Sequence, residues 1–334
     1  MVLKECSVKR VVIVGLGSIG RRHLRLLKQR HPEIDVVLVR SGKGLSWPEE
    51  SLASFTVSSI DEALLMKVDA GIVSSPAPFH IAQATELIKA GVPVLIEKPL
   101  SNALDGVNAF KTLAQDLHAI VLVGYILRYS ESAILFHKIA MDGWVGEPIS
   151  ANIECKSYLP DWRPEQNYRT TGSAIADLGG GVLLELSHEI DYANWFFGPF
   201  KNIWSTLKNS GTLDIDVEDI ADLVLFGPEN FRVSMHLDFC SEVASRFCNL
   251  VGSKGSVTWD GLRDTVTWNP LHGKDEQWSF GGNRDAIFTS QLNHFFKCIE
   301  ENDTSTSSLN EAIATLTLVE TAKQSHAQGV VVHL

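Results

Sequence analysis

Six residues near the start of the chain have the spacing of a loop that binds the pyrophosphate of a dinucleotide. The segment GLGSIG (15–20) reads G-x-G-x-x-G and lies between a strand-like apolar run and a helical run. The first glycine permits a tight turn, the second lets the backbone approach the pyrophosphate, and the third lets helix and strand pack closely. Amides at the start of the helix would then point at the phosphates. A glycine turn without a ligand is the alternative, but the context predicts a nucleotide site formed by Gly15, Gly17, Ser18, Ile19 and Gly20.

The end of the second predicted strand indicates which dinucleotide the loop binds. An acidic residue at that place would bind the ribose 2′-hydroxyl of NAD and repel the 2′-phosphate of NADP. The chain carries Arg40, Ser41 and Lys43 there, and no carboxylate follows before Glu49. Arg40 and Ser41 have the chemistry to bind a 2′-phosphate, so NADP is the preferred prediction and NAD the alternative. The other interpretation of Arg40 is a solvated arginine on a loop.

The segment Glu97-Lys98-Pro99 ends another apolar, strand-like run. In an open α/β sheet, ligands bind beyond the carboxyl ends of the strands. A partly desolvated lysine near a nicotinamide is suited to donate or accept a proton. Lys98 is therefore a candidate catalytic residue, and a surface lysine at a strand–loop junction is the alternative.

A second candidate for proton transfer lies in GGGVLLELSHEID (179–191), where three glycines precede a predicted helix. Glu185 and His188 are three residues apart and would share a face of that helix. A histidine oriented by a carboxylate is a common acid/base arrangement near neutral pH. The E-x-x-H spacing also occurs in di-metal bundles, but that site needs two copies and the chain has one, so we expect no metal. A buried histidine with a structural hydrogen bond is the alternative.

An aromatic and polar loop just upstream, residues 158–169, is a candidate substrate site. It contains Trp162, Arg163 and Tyr168. Such side chains stack against a polyhydroxylated ring and form hydrogen bonds to it. An ordered loop with a tryptophan anchor is the alternative.

The predicted elements that position these residues fall into two series. Up to residue 124, short apolar strands alternate with helices, which predicts an α/β fold with a doubly wound parallel Rossmann sheet. After a predicted helix at 131–142, strand-like segments follow one another, which predicts an α+β part with a large, mostly antiparallel open sheet. A last helix is predicted over Leu309–Gln328. Residues 1–124 are thus assigned to dinucleotide binding, and residues 125–334 to substrate binding and oligomerisation.

The charge and the apolar composition of the chain limit the kinds of partner that we expect it to bind. The 334 residues carry 29 Lys and Arg against 40 Asp and Glu, a formal net charge of −11. A protein that neutralises phosphate backbones needs a basic face, so we expect no nucleic acid. No apolar run reaches the roughly 18 residues that cross a bilayer, and the first ten residues lack the apolar region of a secretory signal, so we expect no membrane. The five cysteines lack C-x-x-C spacing, which favours a reducing, cytoplasmic compartment.

Together these motifs resemble the Gfo/Idh/MocA family, the group of glucose–fructose oxidoreductase and inositol dehydrogenase. The resemblance extends over essentially the whole chain. It depends on five motifs in the same order: GLGSIG (15–20), SSPAPFH (74–80), EKPLS (97–101), GYILRY (124–129) and GGGVLLELSHEIDYANWFFG (179–198).

The resemblance implies a two-domain dehydrogenase that passes a hydride between NAD(P) and a sugar, a polyol or a nucleotide-linked sugar. Lys98 would lie at the reacting hydroxyl, and His188 would be the catalytic histidine. The resemblance also implies a homodimer or homotetramer formed through the C-terminal sheet. Further residues are implied at the cofactor, namely Ser75, Pro76, His80 and Glu97, and at the substrate, namely Arg128 and Asp191.

One departure from the family pattern concerns the catalytic segment. Many members carry an aspartate four residues before the histidine. Here Leu184 has that spacing, and Glu185 lies three residues before His188. The segment is one residue shorter and carries a longer acid, so Glu185 is an acid/base partner or a substrate ligand.

Three functions fit these residues. The leading hypothesis is an NADP-preferring dehydrogenase or reductase of a carbohydrate. The second is a lyase or hydrolase that oxidises a sugar transiently with a tightly held cofactor, and the third is a non-catalytic nucleotide sensor. A sensor needs neither Lys98 nor His188, so their presence argues against it.

Overall fold

The structure is a computed structural model that describes residues 8–303 and 308–334. The chain divides into two compact units. The first consists of the described residues of Met1–Tyr125 and Arg284–Ile313, and the second of Ile126–Asn283 and Ala314–Leu334. The sequence-based division at residue 124 placed residues 284–313 with the second part, whereas here they group with the first.

Strands and helices alternate through the first part of the chain. The elements are β1 (Arg10–Val14), α1 (Ser18–Arg30), β2 (Asp35–Val39), β3 (Phe55–Val57), α2 (Ile60–Leu65), β4 (Ala70–Val73), α3 (His80–Lys89), β5 (Val94–Ile96), α4 (Val107–Asp116) and β6 (Val121–Val123). The strands are parallel and lie in the order β3-β2-β1-β4-β5-β6. Strands β1, β2 and β4 are buried almost throughout, as expected for a sheet covered on both faces. The predicted Rossmann architecture is confirmed.

The remaining elements begin with a helix and continue mainly as strands. They are α5 (Glu131–Met141), β7 (Pro148–Tyr158), α6 (Val182–Glu185), α7 (Ser187–Phe197), β8 (Asn202–Lys208), β9 (Ile220–Phe226), β10 (Arg232–Asp238), β11 (Cys240–Gly252), β12 (Gly255–Asp260), β13 (Thr265–Pro270), β14 (Glu276–Ser279), α8 (Arg284–Glu301), α9 (Leu309–Gln328) and β15 (Val332–His333). The strands form a second sheet in the order β14-β13-β12-β11-β7-β10-β9-β8-β15. Only the β7–β10 pairing is parallel among the described strands of this sheet, so the prediction of a mostly antiparallel sheet is confirmed.

Helix α8 explains why residues 284–313 group with the first unit. Phe288, Leu292 and Phe295 are buried, and the last two belong to the same apolar cluster as the core of β1 and α1. Asp285 at the start of α8 forms an ion pair with Arg25 of α1 at 2.9 Å. The sequence analysis assigned no element to this segment.

The segment that carries Glu185 and His188 forms two helices, and the prediction of one helix is wrong. Helix α6 ends at Glu185, Leu186 adopts φ −95° and ψ 26°, and α7 begins at Ser187. Each helix is held by its own contacts in the second unit. These contacts involve residues outside the local sequence pattern. The i, i+3 argument for a shared helical face therefore fails, because Glu185 and His188 lie on different helices.

Three further findings concern membrane-spanning helices, metal sites and cysteines. Within residues 8–303 and 308–334, no helix combines the length and the apolar character that crossing a membrane requires. The same residues contain no group of three or more His, Cys, Asp or Glu side chains placed to hold a metal ion. Four cysteines carry free thiols, and Cys6 lies outside the described residues; the four are Cys155, Cys240, Cys248 and Cys298.

Candidate functional site

The three glycines of the GLGSIG loop meet the three steric demands of a dinucleotide turn. Gly15 has φ +91°, and a Cβ added there would lie 2.9 Å from backbone atoms of Ser75. A Cβ on Gly20 would collide with the carbonyl oxygen of Gly15, whereas one on Gly17 would meet nothing within 4 Å. The turn and the close helix packing thus need glycine at the outer positions, and the backbone of Gly17 is open to a ligand.

The start of helix α1 continues this arrangement. The helix begins at Ser18, its N-cap is Gly17, and no side chain caps it. Its first turn carries no acidic residue, which leaves the local field favourable for an anion. The residues from Gly15 to Gly20 therefore fit the pyrophosphate of a dinucleotide.

Arg40 at the end of β2 is held by the protein itself. Its guanidinium donates to Glu50 Oε1 at 3.0 Å and to the carbonyl oxygen of Leu45 at 2.7 Å. Glu50 also accepts from the backbone amide of Trp47 at 2.9 Å. The chain therefore does bring a carboxylate to the end of β2, ten residues after Arg40, through the 3-10 turn Pro48–Leu52. Glu50 was not predicted, because the residues next to the strand do not indicate that a carboxylate returns to Arg40 from ten positions further on.

Arg21, in the first turns of α1, belongs to the same cluster. Its guanidinium lies 3.8 Å from the centroid of the Trp47 ring, and its Nη1 lies 3.6 Å from Glu49 Oε1. Trp47 thus contacts Arg21 through its ring and Glu50, the partner of Arg40, through its backbone amide. Trp47 is a further candidate residue that no motif indicated.

His80 connects the loops that follow β4 and β5. Its Nδ1 lies 2.9 Å from the carbonyl oxygen of Pro99, and its Nε2 lies 2.7 Å from the carbonyl oxygen of Ser75. Burial lowers the pKa of His80 below its usual value, and the two contacts with carbonyl oxygens oppose that shift. Pro76, between these partners, is exposed. The predicted cofactor residues Ser75, Pro76 and His80 are therefore neighbours, and His80 fixes the backbone on both sides.

Lys98 follows β5 next to a buried carboxylate. Glu97 is 5% exposed, and its Oε1 lies 2.6 Å from Nε2 of His23 on α1. Its Oε2 accepts from the backbone amide of Lys98 at 3.2 Å. Glu97 was predicted to lie at the cofactor, whereas His23, which lies 74 positions away in the chain, was not predicted.

In the second unit, the three glycines lead into α6 beside Glu218. Gly181 has φ +108°, and a Cβ there would collide with the Glu218 carboxylate. The carbonyl oxygen of Glu218 accepts from the amide of Val182 at 3.0 Å, and its carboxylate accepts from that of Leu183 at 3.3 Å. Burial raises the pKa of Glu218. Glu218 is a residue near the predicted catalytic segment that sequence reasoning missed.

Glu185 and His188 are both partly exposed, whereas the neighbouring Leu186 and Ser187 are buried. Their helices thus leave these two polar side chains accessible. Glu189, next to His188, is fully buried and accepts from Arg246 Nε at 2.7 Å. That buried ion pair anchors the start of α7 to β11.

Arg128 and Asp191, both predicted near the substrate, bind each other. Nε and Nη2 of Arg128 each lie 2.9 Å from a different oxygen of the Asp191 carboxylate. Asp191 is 1% exposed and also accepts from Thr315 Oγ1 at 3.2 Å. Asp191 therefore orients Arg128, whose side chain is 19% exposed.

The aromatic loop is held within the second unit. Trp162 packs edge-on against Phe239 with 5.1 Å between ring centroids, and Tyr168 donates to the carbonyl oxygen of Leu213 at 2.8 Å. Arg163 lies 3.4 Å from Ser173 Oγ. All three predicted residues are partly exposed. The first unit thus contains the dinucleotide loop and Lys98, and the second contains His188, Glu185, Arg128 and the aromatic loop.

Comparison with known proteins identifies the family of both parts of the chain. Residues 9–125 match the family model of an oxidoreductase family with an NAD-binding Rossmann fold, and residues 135–258 match that of the GFO/IDH/MocA C-terminal domain. An inositol 2-dehydrogenase of Rubrobacter xylanophilus is 27% identical over 198 residues, which are 56% of this chain and 51% of the relative. The match therefore spans about half the length of that relative.

Two other relatives cover more of the chain. A 1,5-anhydro-D-fructose reductase of Ensifer adhaerens is 26% identical over 270 residues, 78% of this chain and 77% of the relative. A solved structure of levoglucosan dehydrogenase in complex with NADH and levoglucosan has a TM-score of 0.85 at 16% identity, and covers 97% of this chain and 98% of that one. The similarity to levoglucosan dehydrogenase shows the fold alone. With both family domains matched in order, the chain belongs to the Gfo/Idh/MocA oxidoreductase family, whose N-terminal domain is an NAD-binding Rossmann fold.

Proposed function

We propose that the protein is an NAD(P)-dependent dehydrogenase or reductase that acts on a CH–OH group of a sugar, a polyol or a sugar nucleotide. One observation carries this proposal: the GLGSIG loop and Lys98 follow β1 and β5 of the same parallel sheet. Both therefore lie at its carboxyl edge, where dinucleotides bind in such sheets. The loop has the steric features of a pyrophosphate site, and Lys98 supplies a proton-transfer group at that edge.

The roles of the polar residues follow from the chemistry of the reaction. When bound, the nicotinamide supplies the acceptor or donor of the hydride. In the oxidative direction, the C–H bond gives its electron pair to the acceptor, the hydroxyl loses its proton, and a carbonyl forms. Lys98 and His188 handle that proton, and Glu185 acts with His188 or binds the substrate.

The substrate class is supported by the second unit and by the names of relatives. Trp162, Arg163 and Tyr168 offer an aromatic surface and hydrogen-bonding groups, which suit a polyhydroxylated ring. Arg128, fixed by Asp191, offers a further donor for a hydroxyl or a phosphate. The relatives are named for inositol and for 1,5-anhydro-D-fructose.

The preference for NADP that Arg40 predicts stays a prediction. Arg40 supports it because its guanidinium lies at the end of β2, where the 2′-phosphate of the adenosine ribose would lie. Glu50, at 3.0 Å from Arg40, opposes it because its carboxylate repels a phosphate and is able to accept from a 2′-hydroxyl. The balance between these two side chains sets the preference.

Two properties of the whole protein are part of the proposal. We infer a homodimer or homotetramer formed through the open face of the second sheet, and a cytoplasmic location. The sheet supports the first inference, and the cysteine pattern supports the second.

The proposed function is tested with two variants and a substrate panel. Lys98→Ala and His188→Ala are expected to bind dinucleotide with the wild-type Kd and to lose turnover by about 100-fold or more, since each removes a proton-transfer group. Lys89→Ala, at an exposed position on α3, is the control and keeps wild-type turnover. Binding is measured by thermal shift with NAD and NADP, and turnover on sugars, polyols and sugar nucleotides by NAD(P)H absorbance.

Two results would contradict this assignment. Retained turnover in both variants would remove Lys98 and His188 from the chemistry. If neither dinucleotide raises the melting temperature, the cofactor assignment is wrong, because a specific ligand stabilises the folded protein by mass action. Mass spectrometry of the products separates a net oxidation or reduction from a redox-neutral cleavage.

A further inference from the structure

A pair of buried titratable side chains lies directly beside Lys98. His23 on α1 is 1% exposed and Glu97 at the end of β5 is 5% exposed. The distance of 2.6 Å between His23 Nε2 and Glu97 Oε1 is that of a strong hydrogen bond to a carboxylate. Water cannot replace this contact at such burial, so each group depends on the other.

The second oxygen of Glu97 connects this pair to Lys98. Oε2 accepts from the backbone amide of Lys98 at 3.2 Å, while Oε1 faces His23. Both oxygens of the Glu97 carboxylate are therefore engaged, Oε1 by His23 and Oε2 by the backbone amide at the point where the Lys98 side chain starts.

Neighbouring elements pack against both members of the pair. A Cβ on Gly124, which follows β6, would lie 2.8 Å from Glu97 Oε2, so this glycine gives the carboxylate the space it occupies. The His23 ring packs edge-on against Phe288 of α8, with 5.7 Å between centroids and an angle of 80°. Elements from three parts of the first unit therefore enclose the pair.

We propose that His23 and Glu97 are positioning residues that orient Lys98 for proton transfer. The proposal rests on the proposed function, which gives Lys98 its chemical role. Helix α1 begins at the dinucleotide loop and carries His23 in its second turn. The same helix thus fixes both the phosphate-binding amides and, through Glu97, the lysine at the carboxyl edge of the sheet. Neither positioning residue exchanges a proton with the substrate.

The first variant removes the hydrogen bond and keeps the space filled. His23→Leu leaves Glu97 without its partner, so Lys98 is expected to lose its fixed orientation. We expect kcat to fall by about 10- to 100-fold, the usual cost of a misplaced catalytic group, with KM and the Kd for NADH within about twofold of wild type. His23→Gln places an amide donor near the position of Nε2 and should restore most of kcat.

The matched control is His31 at the end of the same helix. His31 also lies near a carboxylate, Glu33 at 3.4 Å, and also packs edge-on against a phenylalanine of α8, Phe296 at 5.4 Å. It has no contact with the Lys98 segment. His31→Leu should therefore leave kcat, KM and Kd unchanged.

A second readout does not depend on turnover. Hydrogen–deuterium exchange of the Lys98 amide, resolved by fragment mass spectrometry, should become at least about tenfold faster in His23→Leu and return toward wild type in His23→Gln. If the wild type oxidises or reduces no compound of the panel, the proposed function fails, and the exchange rate still decides whether the pair positions Lys98. Unchanged exchange, or unchanged kcat in an active enzyme, would overturn the proposal.

A double variant covers the case in which His23→Leu does not fold. His23→Leu with Glu97→Met removes both polar partners and so leaves no buried group unpaired, which is usually tolerated. If the pair positions Lys98, this variant folds and binds NADH but has the low kcat and fast Lys98 amide exchange expected above. Wild-type kcat in the folded double variant would show that the pair is only structural.

Discussion

The pairing of Arg40 with Glu50 makes cofactor preference a property of two side chains. Replacing Glu50 by Gln keeps a hydrogen-bond acceptor for Arg40 and removes the negative charge that opposes a 2′-phosphate. We expect the ratio of kcat/KM for NADP to that for NAD to rise by about tenfold, the effect of roughly 1.4 kcal/mol of relieved repulsion. Arg40→Ala should change the same ratio in the opposite direction.

Steady-state kinetics with both cofactors at saturating substrate measures these ratios. Glu49→Gln, which removes a carboxylate from the same turn without touching Arg40, is the control. The prediction fails if Glu50→Gln and Glu49→Gln change the ratio equally, because the effect would then come from the general charge of the turn.

Single residues also show what the sequence could and could not predict about the site. Gly15, Gly17 and Gly20 were predictable because their spacing within six residues is a local pattern, although the close approach at Gly15 is to the distant Ser75. Glu50 was missed because its carboxylate returns to Arg40 through a 3-10 turn. The contact between His23 and Glu97 spans 74 positions, and no local pattern records it.

At the scale of elements, the turn into α6 depends on glycine for two separable reasons. Gly181 has φ +108°, and a Cβ there would also collide with the Glu218 carboxylate. Gly211 has φ +77°, and an added Cβ there would meet nothing within 4 Å. An alanine at this position therefore has the cost of the positive φ and no steric collision. Gly211→Ala should cost about 1 kcal/mol of the free energy of unfolding, and Gly181→Ala about 1–3 kcal/mol more.

Urea unfolding of the two glycine variants measures this difference. Adding Glu218→Ala to Gly181→Ala removes the colliding carboxylate and should recover part of the extra loss. Equal losses for the two single variants would show that Glu218 adjusts without cost.

Elements were predictable where a short pattern decides them. The buried strands of the first sheet are continuous apolar runs, and α9 spans Leu309–Gln328 as predicted. Helix α8 was missed although its apolar residues recur with helical spacing. The break at Leu186 was missed for another reason, since distant contacts with Glu218 and Arg246 hold α6 and α7 separately.

The pairing of β9 with β10 contains a pH-dependent contact. Nδ1 of His236 lies 2.7 Å from Asp222, and Nε2 lies 3.3 Å from Asp238. Partial burial lowers the pKa of His236, but these two carboxylates outweigh it and the pKa is raised. Glu154 and Lys156 of the neighbouring β7 face the same group and largely balance each other's charge.

A raised histidine pKa stabilises the folded protein when the histidine is protonated. This contribution is complete below the unfolded pKa of about 6.5 and is lost as the pH rises through the folded value. The melting temperature of wild type minus that of His236→Gln should therefore be largest near pH 5.5 and shrink by pH 8.5. His333→Gln, at an exposed histidine of β15, is the control variant. A difference for His236→Gln that does not change between pH 5.5 and pH 8.5 would remove this contact from the pH dependence.

At the scale of the whole molecule, the second sheet has one buried and one open face. Helix α5 packs against β12 and β13, and α7 packs against β7, on the side where Trp259 and Ile153 are buried. On the other side, one transverse row of residues in register crosses eight strands without a charged member: Trp204, Val224, Ser234, Asn152, Asn249, Thr258, Thr267 and Gln277. An uncharged row of this kind suits contact with a second copy of the same chain, because a two-fold axis places like residues opposite each other.

The oligomer proposed through this face is tested by placing charges in the row. Asn152→Lys with Thr258→Lys adds two charges per chain to the centre of the open face, and a two-fold interface would bring four together. We expect the wild type to have the mass of a dimer or tetramer in light scattering after gel filtration, and the variant to have a lower mass or to dissociate at higher concentration. Asn108→Lys with Gln115→Lys on the exposed side of α4 adds the same charge elsewhere and should leave the mass unchanged. A monomeric wild type, or a variant with the wild-type mass, would show that the open face is not the interface, because two buried lysines without partners cost several kcal/mol.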